Sequence, residues 1–125
     1  MLVKEVTYID YDGNERTEEC RFHLTEAETV EMEMSEKGGL TANLKQMIQE
    51  KDNPKIMATF KKLLLTAYGV KSTDGRRFIK SKELSEEFSQ TEAYNQIFME
   101  IISGGDEAMS AFVNGILPNS RKKPA

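Results

Sequence analysis

One cysteine and one histidine are the residues of this chain that could form a nucleophilic pair or begin a metal site. The sequence has 125 residues with a single Cys, Cys20, and a single His, His23. A catalytic thiol needs a base within hydrogen-bond reach, and a zinc site needs further soft ligands. Residues three apart on a strand point to opposite faces, so these two cannot meet if the segment is extended. We predict a buried Cys20, a solvated His23 and no zinc site.

A second candidate is a calcium loop, because Asp10, Asp12 and Asn14 have its one-three-five spacing. That loop also requires glycine at its sixth position and a bidentate glutamate at its twelfth. The sixth position here is Glu15 and the twelfth is Arg21, so the motif fails twice. A hairpin turn explains the same residues, and no metal site is predicted.

Paired carboxylates such as Glu31 with Glu33, or Glu86 with Glu87, could in principle perform acid–base chemistry. A general acid needs a pKa raised by apolar surroundings, and these residues fall on predicted helix surfaces. We therefore predict no catalytic residues, no cofactor and no enzymatic activity.

The stretch from Tyr68 to Ser81, YGVKSTDGRRFIKS, is locally basic. Between Lys71 and Glu83 five basic residues face two acids, a local excess of 5 − 2 = +3. A phosphate-binding loop uses several glycines to expose backbone N–H groups, and this segment lacks that pattern. It is predicted to be a connector with a Ser-Thr-Asp-Gly turn, its apolar side chains packed down and its basic groups outward. A nucleic-acid patch is the less favoured alternative, and a protein-docking surface is compatible with either.

Composition limits the remaining choices. The chain carries 17 basic and 21 acidic side chains, a formal net charge of −4, which repels nucleic acids and anionic membranes. The N-terminus is too polar for a signal peptide, and no apolar run approaches the roughly 20 residues of a spanning helix. We expect a cytosolic protein of one domain.

Polar and apolar residues alternate from Leu2 to Leu24 around a break at Tyr11–Asn14, which predicts a β-hairpin. Two strands alone are marginally stable in water, so one face of the hairpin must pack on helices. The inward residues are predicted to be Val6, Tyr8, Cys20, Phe22 and Leu24.

The remaining sequence predicts five or six short helices. Thr25 and Glu28 form a capping box at the start of the first, which ends near Gly38-Gly39 and carries Ala27, Val30 and Met34 as its apolar stripe. The second stops at Asp52-Asn53-Pro54, and the third begins there with Asn53 as its N-cap and Pro54 as its first helical residue. The third is predicted to be central and to end at Gly69 in a left-handed cap, with a stripe of Ile56, Met57, Phe60, Leu63, Leu64, Ala67 and Tyr68.

Ser81 and Thr91 are predicted to cap the next two helices, and a last helix follows Gly104–Asp106 and stops at Pro118. Among the methionines, Met47, Met57 and Met109 fit core stripes, whereas Met32 between acids is a candidate for exposure. The predicted fold is α+β and mostly α, with a hairpin (1–24) packed on a helical part (25–118). Residues 1–118 form one domain, and 119–125 form a flexible basic tail.

Several runs of this sequence resemble one family. They are YDGNERTEECRFHLTEAE near the N-terminus, AYGVKSTDGRRFIKS, FSQTEAYNQIFMEI and FVNGILP. Together they resemble the tail assembly chaperones of long-tailed bacteriophages, especially those that infect Gram-positive bacteria. The most specific part runs from Tyr68 to Phe98, where the matching residues are Gly69, Asp74, Gly75, Phe78, Thr91, Ala93 and Tyr94.

This resemblance implies a non-enzymatic protein of the host cell cytoplasm that binds the tape measure protein. It would help recruit tail tube protein and be absent from the mature virion. It implies no cofactor, no nucleic acid and no membrane, and it allows a homo-oligomer. In such families a frameshift often adds a second domain, which could join at Arg121–Lys123. The alternatives are a phage structural or adaptor protein retained in the virion, and a small nucleic-acid-binding regulator.

The family supplies no residue-level binding motif, so the partner-binding surface must be predicted from chemistry. The mixture of basic and aromatic residues favours the surface around Arg76, Arg77, Phe78 and Lys80. This surface is our sequence-based hypothesis for the site that contacts the tape measure protein.

Overall fold

The computed structural model describes residues 1–35 and 39–118, so the predicted basic tail and part of the predicted end of the first helix lie outside the described residues. Within these ranges the chain forms four strands and six helices. They are β1 (Leu2–Ile9), β2 (Glu15–Phe22), α1 (Glu26–Ser35), α2 (Leu40–Glu50), α3 (Asn53–Ala67), β3 (Tyr68–Lys71), β4 (Phe78–Ile79), α4 (Lys82–Ser89), α5 (Glu92–Ser103) and α6 (Gly105–Ile116). The predicted α+β fold, mostly α with an N-terminal hairpin, is confirmed.

The turn between β1 and β2 is held by Asp10. Its Oδ1 accepts hydrogen bonds from the backbone N–H groups of Asp12 and Asn14, each at 2.9 Å, and its Oδ2 accepts one from Arg16 Nε at 2.6 Å. Gly13 adopts a φ of 86°, which glycine reaches without a steric penalty. The carboxylate that resembled a calcium ligand therefore fixes the hairpin turn.

The sheet is larger than the sequence predicts, because two short strands follow α3. The strand order is β1-β2-β3-β4, and every neighbouring pair is antiparallel. The prediction that α3 continues to Gly69 is wrong: the helix ends at Ala67, and Tyr68 is extended with φ −65° and ψ 139°. Tyr68 pairs with Phe22 on β2, and its ring stacks on Phe88 at a centroid distance of 4.0 Å. These tertiary contacts outweigh the local cap signal of Gly69.

The core lies between the hairpin and the helices, with Phe22 at its centre. Phe22 is fully buried, and its ring centroid lies 5.8–5.9 Å from those of Tyr68, Phe88 and Phe112. Burying one such side chain stabilises the fold by about 1.5–3 kcal/mol. The predicted inward residues of the hairpin are all buried: Val6, Tyr8, Cys20, Phe22 and Leu24.

Side-chain caps begin four of the helices. The Thr25 and Glu28 capping box is confirmed, since Thr25 N donates to Glu28 Oε1 (2.8 Å) and Glu28 N donates to Thr25 Oγ1 (3.1 Å). Ser81 and Thr91 cap α4 and α5 as predicted. The cap of α3 is Asp52 and not Asn53, because the Asp52 carboxylate accepts from Lys55 N at 3.4 Å.

Contacts between distant parts of the chain close the domain. His23 N donates to Ala67 O at 2.9 Å, and Leu24 N donates to Ile116 O at 2.8 Å. These two bonds tie the segment after β2 to the C-terminal ends of α3 and α6. On the other side, Lys4 Nζ lies 2.5 Å from Glu100 Oε1 and joins β1 to α5.

Candidate functional site

The basic segment predicted as a connector is a tight hairpin between β3 and β4. Ser72 N donates to Arg77 O and Gly75 N donates to Ser72 O, both at 2.9 Å. Asp74 Oδ1 accepts from Ser72 Oγ at 2.7 Å and from Arg76 N at 3.1 Å. These hydrogen bonds lower the pKa of Asp74, and the bond from Ser72 has the largest effect. The predicted Ser-Thr-Asp-Gly turn is therefore confirmed, and its own side chains hold the hairpin tip in one shape.

Arg76 and Arg77 lie at this tip and are exposed. In the part of the chain that the structure describes, neither guanidinium forms a salt bridge. Two adjacent arginines on a fixed turn present planar donors suited to bidentate carboxylate contacts. The hairpin tip can therefore bind an acidic partner surface.

Phe78 and Lys80, the other two predicted site residues, are half-buried and have partners within the fold. The Phe78 ring packs on Gly69 and meets the His23 ring edge-on at 6.2 Å. Lys80 Nζ lies 5.8 Å from the Phe78 centroid and bonds both carboxylate oxygens of Glu28, at 2.8 and 2.9 Å. The expectation that the basic groups all point outward therefore fails for Lys80, which joins the hairpin to α1.

The environment around this ion pair shifts two pKa values. Partial burial raises the pKa of Glu28, but hydrogen bonds from Lys80 and from the Thr25 backbone outweigh it, and the net pKa is lowered. Burial is the main cause that lowers the pKa of His23, with smaller contributions from the N-terminal amine and Lys80. His23 Nδ1 is buried without a hydrogen-bond partner. The prediction of a solvated His23 is wrong for this side of its ring.

The apolar stripe of α1 faces solvent, contrary to the sequence prediction. Val30 is 50% exposed and Met34 is 81% exposed, and Ala27 on the same stripe is also exposed. Met32, predicted as a candidate for exposure, packs instead against the core. Met57 on α3 is likewise exposed, at 44%. We name Ala27, Val30 and Met34 the α1 stripe.

Cys20 lines a cleft of about 370 Å³ between β2 and α4, together with Glu18, Tyr68 and Glu87. Burial, and to a smaller degree the nearby Glu18 carboxylate, raises the pKa of the Cys20 thiol to about 11. A thiol with this pKa stays protonated at neutral pH and is a poor nucleophile.

The described residues contain no group of three or more His, Cys, Asp or Glu side chains placed to hold a metal ion. Over the same ranges, no helix combines the length and the hydropathy that crossing a bilayer requires.

The family model described as phage tail assembly chaperone matches residues 1–124, nearly the whole chain. The chain belongs to the phage tail assembly chaperone family. No significant match was found among curated proteins or among solved structures.

Membership of this family assigns the chaperone to phage tail assembly and confirms the resemblance seen in the sequence. The match does not address the host, so infection of Gram-positive bacteria stays an expectation. Chaperones of this family work with phage tail proteins, and the family is typically non-enzymatic.

Two features of the chaperone's surface could not be assigned from sequence. The helical spacing of the α1 stripe is the same whether the stripe is buried or exposed, so no sequence signal reveals that it faces solvent. The pairing of Lys80 with Glu28 joins residues 52 positions apart. A lysine that follows two arginines and a phenylalanine gives no indication of such a distant partner.

Proposed function

We propose that this chaperone binds the tape measure protein and helps recruit tail tube subunits in the host cytoplasm, and that it does not remain in the virion. It acts by holding its client and not by catalysis. Family membership supports the role in tail assembly. The structural observation that carries the binding role is the outward orientation of the α1 stripe, where Met34 is 81% exposed.

The client surface combines two neighbouring features. The ion pair between Lys80 and Glu28 places the first turn of α1 beside the strand that follows the arginine pair. An amphipathic client helix can lay its apolar residues on Val30 and Met34, and acidic residues beside them can pair with Arg76 and Arg77. In this arrangement Phe78 and Lys80 hold the two features together.

Co-expression with the tape measure protein tests this surface. The double variant Arg76→Glu, Arg77→Glu is expected to reduce the soluble, co-purifying tape measure protein severalfold, because it replaces attraction by repulsion. The matched control reverses Lys61 and Lys62, which are exposed on α3. Circular dichroism must show that both variants are folded. Equal recovery with the arginine variant and with the wild type would show that the arginine pair is not the contact.

The α1 stripe is tested separately with Val30→Ser and Met34→Ser in one chain. Both side chains are exposed, so the fold should lose little stability while client recovery falls. Met99→Ser on α5 is the control, since Met99 is 53% exposed but lies on another helix. Mass spectrometry of purified particles tests the last part of the proposal, because a component retained in the virion would be detected there.

A further inference from the structure

Strand β1 is an edge strand of the sheet. It is eight residues long and pairs with β2 on one side, and no other described strand pairs with its second side. The opposite edge, β4, has only two residues. Long edge strands present unpaired backbone groups to other chains unless charged side chains, proline, a bulge or a covering helix protects them. Helix α5 lies beside this edge, where its Glu92, Gln96 and Glu100 bond Tyr11 Oη, Thr7 O and Lys4 Nζ. Of these three bonds only the one to Thr7 O uses a backbone group of the edge.

The backbone groups that face this edge can be identified. Asp10 N donates to Asn14 O on the β2 side, and successive residues of an antiparallel strand alternate in direction. The N–H and C=O groups of Val3, Glu5, Thr7 and Ile9 therefore point to the open edge. Gln96 Nε2 reaches Thr7 O from outside the sheet at 3.1 Å, which agrees with this assignment.

The side chains in and beside β1 form a pattern that is symmetric about Val6. Four exposed apolar residues lie at equal distances on either side of it: Met1 at 40% and Val3 at 43%, Ile9 at 56% and Tyr11 at 75%. The polar residues Glu5 and Thr7 flank Val6 directly. A segment with this symmetry is complementary to an antiparallel copy of itself.

We propose that β1 pairs antiparallel with β1 of a second copy, with Val6 on the two-fold axis. The two sheets then form one continuous sheet with four strands from each chain. Val3 faces Ile9 of the second copy, and Glu5 faces Thr7, so apolar groups meet apolar groups.

Charge disfavours the registers that are shifted in one direction. A shift by two residues in one direction places Glu5 opposite Glu5 of the second copy, and a shift by four places Lys4 opposite Lys4. Like charges directly opposite each other destabilise a strand pair. A shift in the other direction separates Val3 from Ile9. The bond from Gln96 can persist, because a carbonyl oxygen has two lone pairs and Thr7 O can accept a second donor.

The hydrogen-bond pattern provides the first test. Glu5→Pro removes an N–H that faces the open edge and leaves the bonds between β1 and β2 intact. We expect the full-length wild type to sediment with twice the mass of one chain at high concentration, and the proline variant to sediment as a monomer. Glu5→Ala is the control and should dimerise. A monomeric wild type, or a folded proline variant that dimerises as the wild type does, would overturn the proposal.

Disulfide trapping provides a second test that does not depend on the proline variant folding. Two single variants, Val3→Cys and Ile9→Cys, are mixed and oxidised. The proposed register brings these positions to the Cα separation that a disulfide requires, so the mixture should form a cross-linked dimer that neither variant forms alone. A mixture of Val3→Cys with Thr7→Cys should not cross-link, because diagonal neighbours lie too far apart. Cross-linking only with Thr7 would refute the register, and its absence in both mixtures would refute the dimer.

This interface shares no residue with the α1 stripe or the arginine pair. Dimerisation is therefore independent of the identity of the client, and either proposal can fail without the other.

Discussion

Phe78 lies directly over Gly69 across strands β3 and β4, and a Cβ atom built on Gly69 would come within 2.6 Å of Phe78 Cε2 and 2.8 Å of Ile79 O. Such contacts cannot be accommodated without movement of the hairpin, since one of them is to backbone. Gly69→Ala is therefore expected to lower the free energy of unfolding by about 1–3 kcal/mol. Urea denaturation followed by circular dichroism measures this change.

Gly75 in the same hairpin provides the control for that variant. Its φ is 78°, and a Cβ built there meets no atom within 4 Å. Asparagine tolerates this backbone conformation, so Gly75→Asn should cost much less than Gly69→Ala. Equal losses from the two substitutions would show that steric contact with Phe78 is not the cause.

The ion pair between Lys80 and Glu28 should stabilise the fold in a pH-dependent way. Lys80→Met is expected to lower the free energy of unfolding by about 1 kcal/mol at neutral pH, since the pair is partly shielded from water. The folded-state pKa of Glu28 lies below its ordinary value of 4.5. The ionised Glu28 carboxylate therefore stabilises the fold fully at pH values above 4.5. It is lost as the pH falls through the lowered pKa.

Urea titrations of the Lys80 variant at several pH values measure this dependence. The stability difference from wild type should shrink once the pH drops below the lowered pKa of Glu28. Lys82→Met is the control, because Lys82 is exposed and forms no salt bridge within the described residues. A difference that stays constant down to acidic pH would argue for lost packing on Phe78 and against the charge interaction.

Cys20 should resist thiol reagents in the folded protein. It is 4% exposed, and its pKa is raised to about 11, so thiolate is scarce at mildly alkaline pH. A chromogenic thiol reagent should react with one thiol per chain in denaturant and much more slowly without it. Rapid labelling of the native protein would mean that β2 opens readily or that the thiol has a functional role.

The sequence alone predicts the parts of this fold in which local signals agree with tertiary contacts. The hairpin is one case, because the alternation that buries Phe22 also places the Asp12-Gly13 turn correctly. The capping residues Thr25, Ser81 and Thr91 are a second, since each makes its hydrogen bond within one helical turn. Such bonds depend on neighbouring residues only.

Predictions fail where a distant contact decides the outcome. Gly69 carries a helix-cap signal, yet the pairing of Tyr68 with Phe22 makes it part of a strand. On α1, periodicity defines a stripe containing Val30 and Met34, but it does not determine that Met32 is the residue that packs inward. Of the predicted site, the exposure of Arg76 and Arg77 follows from their charge. The internal role of Lys80 depends on Glu28, which no local pattern links to it.

The backbone bond between Leu24 and Ile116 has a consequence for how the protein is made. It spans 116 − 24 = 92 residues, and the contact of Lys4 with Glu100 spans 96. A nascent chain can form the hairpin early, but it cannot seal the core until α6 has left the ribosome. The chaperone should therefore reach its native state only after translation has passed residue 116, because the core is incomplete until α6 can pack.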